Sequence, residues 1–223
     1  MRETCFARRL MWWGLLAAAV AGLGACSRPP ILVQRYILEY PAPAFPRRAP
    51  LPEAIKIQQF AAAEAVNTTA MLYRPDAYQR QAYVYNQWRI TPGPMITDCL
   101  VRDLRHAGLF AAVFTEDSPD RARFQVEGGV TDLQEESDPA GWQAVLGLSV
   151  TLLDTHYPTR EVSRRVLFQK SYRAVEPLPE KSPRGLAQAV SQAMARLSRE
   201  ILEDLHRAAK ARLEEKPGAA SPR

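Results

Sequence analysis

Val145-Leu-Gly-Leu-Ser-Val-Thr-Leu-Leu153 is nearly all apolar or small. It reads as the middle of a strand running from Trp142 to Asp154. Thr155-His-Tyr-Pro-Thr159 supplies turn residues, and Glu161 to Tyr172 reads as a long return strand. On the return strand Val162, Arg164, Val166 and Phe168 alternate with Ser163, Arg165, Leu167 and Gln169, so neither face is cleanly apolar. Upstream, Ala122 to Gln134 is a further strand, with Phe124, Val126, Val130 and Leu133 apolar. Gly128-Gly129 within it suggests a bulge at which the face of the alternation changes.

Helices flank this antiparallel block. After the loop Pro177–Ser182, Ser182 is placed to cap a helix and Pro183 to occupy its first position. Leu186, Ala189-Val190, Ala193-Met194, Leu197, Ile201 and Leu205 then form one apolar stripe, wide enough to cover a sheet face. Before the block, Pro92 and Pro94 open a second helix over 93–107. Met95 or Ile96, Cys99-Leu100, Leu104 and Ala107 recur on it at helical spacing, and Gly108 ends it. Leu109 to Phe114 leads out towards the turn Asp117-Ser-Pro-Asp120.

Nearer the N-terminus, Val33–Tyr40 and Ala54–Phe60 read as strands. Pro41, Pro43, Pro46, Pro50 and Pro52 make the segment between them an extended connector. Residues 61–69 read as loop. Ala70–Arg74 and Gln81–Asn86 read as a hairpin. The order is strands, helix, antiparallel strands, helix. It predicts an α/β fold, α+β by order of elements: a single mixed, largely antiparallel sheet packed by two main helices. Lys210 to Arg223 is polar and ends in Gly-Ala-Ala-Ser-Pro, which predicts a disordered tail over 209–223.

The first 25 residues are of another kind. Arg2, Arg8 and Arg9 precede an apolar run from Leu10, which ends in small residues and Cys26. This is the pattern of a secretory signal peptide, too short and too Gly-rich at its end for a membrane-spanning helix. Leu23-Gly24-Ala25-Cys26 resembles the lipobox of bacterial lipoproteins. The resemblance implies cleavage before Cys26 and acylation of Cys26 with palmitate-type chains. Two or three chains hold a protein firmly on a membrane that it does not cross. The predicted divisions are therefore a signal peptide 1–25, a tether 26–30, a domain 31–208 and the tail. Ser27, by likeness to enterobacterial lipoprotein sorting, implies the outer membrane, with the domain facing the periplasm.

Charge and cysteine count narrow the possibilities. The net charge is +5 over 223 residues. Basic residues are interspersed with acidic ones and never run three together, which argues against nucleic-acid binding. Of Cys5, Cys26 and Cys99, only Cys99 would stay unmodified after processing, so no internal disulfide is available. Cys99 reads as a small buried hydrophobe. His106, His156 and His206 are not at metal-ligand spacing, and the chain has no phosphate-loop or Gly-x-Ser-x-Gly pattern. Glu135-Glu136, with Asp132 and Asp138, reads as a solvated strand end rather than a cation site. No catalytic, metal or cofactor residues are predicted; the one covalent group is the lipid on Cys26. The candidate binding residues are aromatic: Tyr73, Tyr83, Tyr85 and Trp88, spread over two paired strands. They suit either a partner or lipid surface or the core beneath the helix.

Met71-Leu-Tyr-Arg74, Tyr83-Val-Tyr-Asn-Gln-Trp88, Pro92 opening a helix, and Ala107-Gly-Leu-Phe-Ala-Ala-Val113 at its end together resemble the ABC-type transport auxiliary lipoproteins. Tyr36-Ile-Leu-Glu-Tyr40 and the closing helix fit too, so the likeness spans about 26–208. The resemblance implies a sheet covered by helices, of three-layer type. It also implies a non-catalytic accessory that docks on an MCE-domain protein and, through it, on an ABC permease and ATPase. Such a system moves lipids or other apolar molecules across the bacterial envelope, and the accessory can form homo-oligomers. The alternative is an outer-membrane biogenesis or envelope-integrity lipoprotein acting as a structural module. A third, an envelope hydrolase, would need a cleft holding His156 or His106 beside a carboxylate.

Overall fold

The computed structural model describes residues 32–46, 48–139, 141–156 and 162–215, without the side chains of Asp138 and Val162. Cys26 and the rest of the stretch that resembles a lipobox lie outside the described residues, as does most of the turn expected at 155–159. Two compact units divide the chain, Met1–Leu32 and Val33–Arg223, and every described element belongs to the second.

The elements are β1 (Gln34–Tyr36), β2 (Leu51–Ile57), β3 (Ala61–Ala62), β4 (Ala70–Arg74), β5 (Gln81–Trp88), α1 (Pro92–Ala107) and β6 (Phe110–Thr115). They continue with β7 (Phe124–Asp138), β8 (Gly141–Asp154), α2 (Val162–Arg165), β9 (Val166–Pro177) and α3 (Pro183–Glu214). The nine strands form one mixed sheet, and β7 organises it. Along one edge β7 pairs antiparallel with β8 over its whole length, and β8 pairs antiparallel with β9. Along the other edge β7 is shared. Phe124–Val126 pair in parallel with β2, which carries β6 outside it. Gly129 and Val130 pair with β3, and Glu135 and Glu136 with β4, which carries β5 and then β1. The sheet therefore forks at β7. The longest ladders are antiparallel, as the sequence predicts; the parallel ones are short.

The alternation on β8 decides which face carries the core. Ala144, Leu146, Leu148, Val150 and Leu152 are completely buried, while Ser149, Thr151 and Leu153 on the other face are half-buried. On the buried side lie α1 and α3, packed against each other as well as against the sheet. Leu186, Val190, Ala193, Met194, Leu197 and Ile201 of α3 are all interior. The sheet is thus packed by the two main helices, as the sequence predicts. The far face shows Glu127, Thr131 and Arg173 to solvent. No described helix is long and apolar enough to cross a membrane.

Boundaries follow local chemistry. Ser182 accepts the Gly185 amide through Oγ at 2.9 Å and Pro183 begins α3, as expected. Gly108 closes α1 in the left-handed region, at φ 59°. The final helix continues to Glu214, beyond the expected limit of 208, with Ala209 buried and Ala208 and Leu213 packed against the core. Three expectations are corrected. The first strand ends at Tyr36, after which the chain crosses the helices as a strap. Leu38 and Tyr40 are buried in the strap, and the Glu39 amide donates to Ser191 Oγ. Leu109–Phe114, assigned no structure, contributes β6. Pro52 lies within β2, at an irregular step in the pairing where a missing N–H is tolerated.

Gly128 has a different reason from the one expected. The face change on β7 falls at the irregular step between Val130 and Asp132. Gly128 instead lies under the Phe60 ring: a Cβ there would stand 2.4 Å from Phe60 Cζ. Gly93 receives the same residue from above, since its Cβ would meet the Phe60 carbonyl oxygen at 2.2 Å. Thr97 Oγ1 accepts the Phe60 amide at 2.9 Å. One buried phenylalanine thus joins α1 to the middle of the sheet.

Candidate functional site

The four aromatic candidates lie on the β4–β5 hairpin, and the hairpin separates them. Two steps on β4, from Ala70 to Leu72, are matched by five on β5, from Ala82 to Gln87. The surplus residues make a bulge, which redirects side chains. Trp88, past the bulge, is 1% exposed and packs in the core. Tyr73 and Tyr83 stack with centroids 5.1 Å apart and planes inclined at 51°. Val84 and Tyr85, on the bulge, are 73% and 47% exposed. Tyr73, Tyr83 and Trp88 thus face inward to different depths, and Tyr85 faces out.

Beneath the stacked pair is a buried carboxyl. Tyr83 donates its hydroxyl hydrogen to Glu135 Oε2 at 2.9 Å, and Tyr73 donates to Gln81 Oε1. Glu135 is completely buried, and its Oε1 has no hydrogen-bond partner. Burial raises the Glu135 pKa, against the opposing pull of the Tyr83 hydroxyl and the Lys181 charge. Burial likewise raises the Tyr83 pKa, assisted by Glu135, so Tyr83 remains a neutral donor. Arg80 Nε donates to Gln134 Oε1 at 2.8 Å, the Gln134 amide to Glu136 Oε1 at 2.7 Å, and Arg74 pairs with Glu136 at 3.2 Å. The reading of Glu135-Glu136 as a solvated strand end is therefore corrected. Cross-strand tyrosine and arginine cover these residues, and no periodicity in β7 itself marks them.

A second polar centre fixes the strap. Asp103 is completely buried. Its Oδ2 accepts the hydroxyls of Tyr40 at 2.7 Å and Ser198 at 2.6 Å, and its Oδ1 accepts Arg102 Nε at 2.9 Å. The Arg102 guanidinium also lies 4.2 Å from the Tyr40 ring centroid. Burial raises the Tyr40 pKa well out of the physiological range, with the neighbouring Cys99 and Asp103 adding to it. Cys99 is buried, as expected, and burial raises its thiol pKa over the opposing influence of Tyr40 and Arg102. Above it, Ile37, Leu38, Ile90, Met95, Arg89 and Asp98 border an open groove of about 290 Å³.

A further groove of about 400 Å³ lies between β9 and α3, beside Phe168 and Arg207. Lys170 Nζ reaches Glu200 at 2.7 Å and Asp204 at 2.8 Å, and Tyr172 donates to Asp204 at 2.9 Å. Burial alone would raise Asp204, but the bonds from Lys170 and Tyr172 outweigh it and hold its pKa low. The charges there are used by one another. His106 ends α1, His206 is buried on α3, and the His156 amide bonds Asp154, so the three are on different elements. Among the described residues no group of three His, Cys, Asp or Glu side chains is placed to hold a metal.

The fold has solved counterparts. Protein XCC0632 from Xanthomonas campestris, of family model DUF330, is 17% identical over 82% of this chain and 99% of its own, with a TM-score of 0.73. A structure described as an uncharacterized protein is 12% identical over 78% and 99%, with a TM-score of 0.60. No curated protein matches. The model of the ABC-type transport auxiliary lipoprotein component matches residues 36–202, from the end of β1 through most of α3. The chain belongs to that family. It is an auxiliary lipoprotein of the envelope, with the shared core lying within the limits 26–208 expected from the motifs.

Proposed function

We propose that this protein is a non-catalytic holding component of an ABC-type transport system, anchored by acyl chains on Cys26. It docks on an MCE-domain protein and, through that protein, serves a permease and ATPase that move lipids or other apolar molecules. Its place is the periplasmic side of the outer membrane. The family match over 36–202 carries the reading. The polar centres around Glu135 and Asp103 support it, since their donors and acceptors fix the hairpin and the strap. Of the four aromatic candidates, Tyr85 is the contact residue; Tyr73, Tyr83 and Trp88 hold its strand in place. The chain contributes binding energy and position, and the ATPase of the system supplies the work.

Affinity capture with the mature lipidated chain tests this reading. The expected result is co-purification of an MCE-domain protein. Lack of any such association, together with a normal lipid barrier in a deletion strain, overturns it.

A further inference from the structure

From Val33 onward, the large apolar side chains exposed among the described residues are Val33, Ile37, Tyr78, Val84, Tyr85 and Ile90. All of them fall on β1, β5 and the segments joined to these strands. Tyr78 is 99% exposed at the tip of the β4–β5 turn, which Asp76 Oδ1 holds by accepting the amides of Tyr78 and Gln79. β1 pairs in parallel with β5, Gln34 beside Asn86 and Tyr36 beside Trp88. One further step in that register sets Val33 beside Tyr85. The apolar residues therefore line one edge of the sheet, and Arg35, Arg80 and Arg89 are exposed along it. Left bare in water, such an edge invites strand pairing with other chains.

We propose that this edge is a membrane seat: it inserts shallowly into the interface of the bilayer that carries the acylated Cys26. The proposal rests on the anchor reading and adds an orientation to it. Cys26 and Val33 are seven chain steps apart, so the bilayer surface lies within about 25 Å of the edge whatever path the tether takes. Exposed tyrosines and branched apolar residues suit the headgroup level, and the arginines suit anionic lipid phosphates. Other surfaces of the described domain lack this pairing of apolar and basic groups beside the tether. The seat fixes which way the opposite edge, β9 and α3, faces: away from the membrane, towards the other components.

The test uses the mature lipidated protein in vesicles of phosphatidylethanolamine and phosphatidylglycerol with brominated acyl chains. A Tyr85→Trp reporter is compared with a Ser171→Trp reporter on β9, the fluorescence of the parent being subtracted from each. Strong quenching of the first and little of the second is expected. Val84→Asp in the first reporter should shift the seated-to-lifted ratio by about tenfold, the worth of one valine withdrawn from water. Equal quenching of the two reporters, or none at Tyr85→Trp, overturns the seat. So does shielding of the Tyr85→Trp reporter that depends on protein concentration alone, which would assign the edge to a second copy. The mass of the N-terminal peptide separates the two readings. An acylated Cys26 with an unquenched reporter removes only the seat; an unmodified Cys26 removes the anchor and the seat together.

Discussion

Asp103 and Glu135 are both buried carboxyls, and they differ in how their oxygens are used. Asp103 has three donors for its two oxygens. Replacing it with alanine strands the hydroxyls of Tyr40 and Ser198 in the interior and should cost about 3 kcal/mol or more. Urea unfolding measures that, and Asp103→Asn, which keeps an acceptor, should lose less. Glu135 has one donor, and one oxygen with no partner. Burial raises its folded pKa, so the folded state holds this proton more tightly than the unfolded chain does. The stability it contributes is complete below the ordinary value of 4.5 and is lost as pH rises through the raised value. Denaturation midpoints should therefore fall over that window in the parent and stay flatter in Glu135→Gln. Neither role was legible in the sequence. Asp103 follows Arg102 on an apolar helix and reads as an ordinary surface residue until α3 and the strap close over it.

Among the elements, those fixed by local chemistry were the legible ones. Ser182-Pro183 announces α3, Gly108 ends α1, and the turn residues around Pro75-Asp76 announce the hairpin. Elements decided by distant partners were not. β6 is short and starts two positions after Gly108; β2 beside it makes it a strand. The strap has β-forming residues but no neighbour to pair with, and the helices take its side chains instead. Gly128 shows the same limit, because its small size is required by Phe60, distant in sequence. Gly128→Ala should destabilise by about 1–3 kcal/mol through overpacking, read from the urea midpoint. Pairing it with Phe60→Leu should recover part of the loss in a double-mutant cycle.

The whole molecule depends on one strand. β7 is held on both edges, by β8 on one side and by β2, β3 and β4 in succession on the other. Hydrogen exchange should find the amides of Val126 and Val130 among the slowest and those of β1, a three-residue edge strand, among the fastest. That ranking, measured on the intact chain, checks whether the two arms of the sheet unfold with their common strand or separately.

The strap has a mechanical side. A tug on the described domain from its N-terminal side would arrive first at β1, whose ladder on β5 is only three residues long. It would then reach Glu39 and Tyr40, where Ser191 of α3 and the buried Asp103 of α1 hold the chain. Such a pull would meet a little slack and then a firm hold, short of the rest of the sheet.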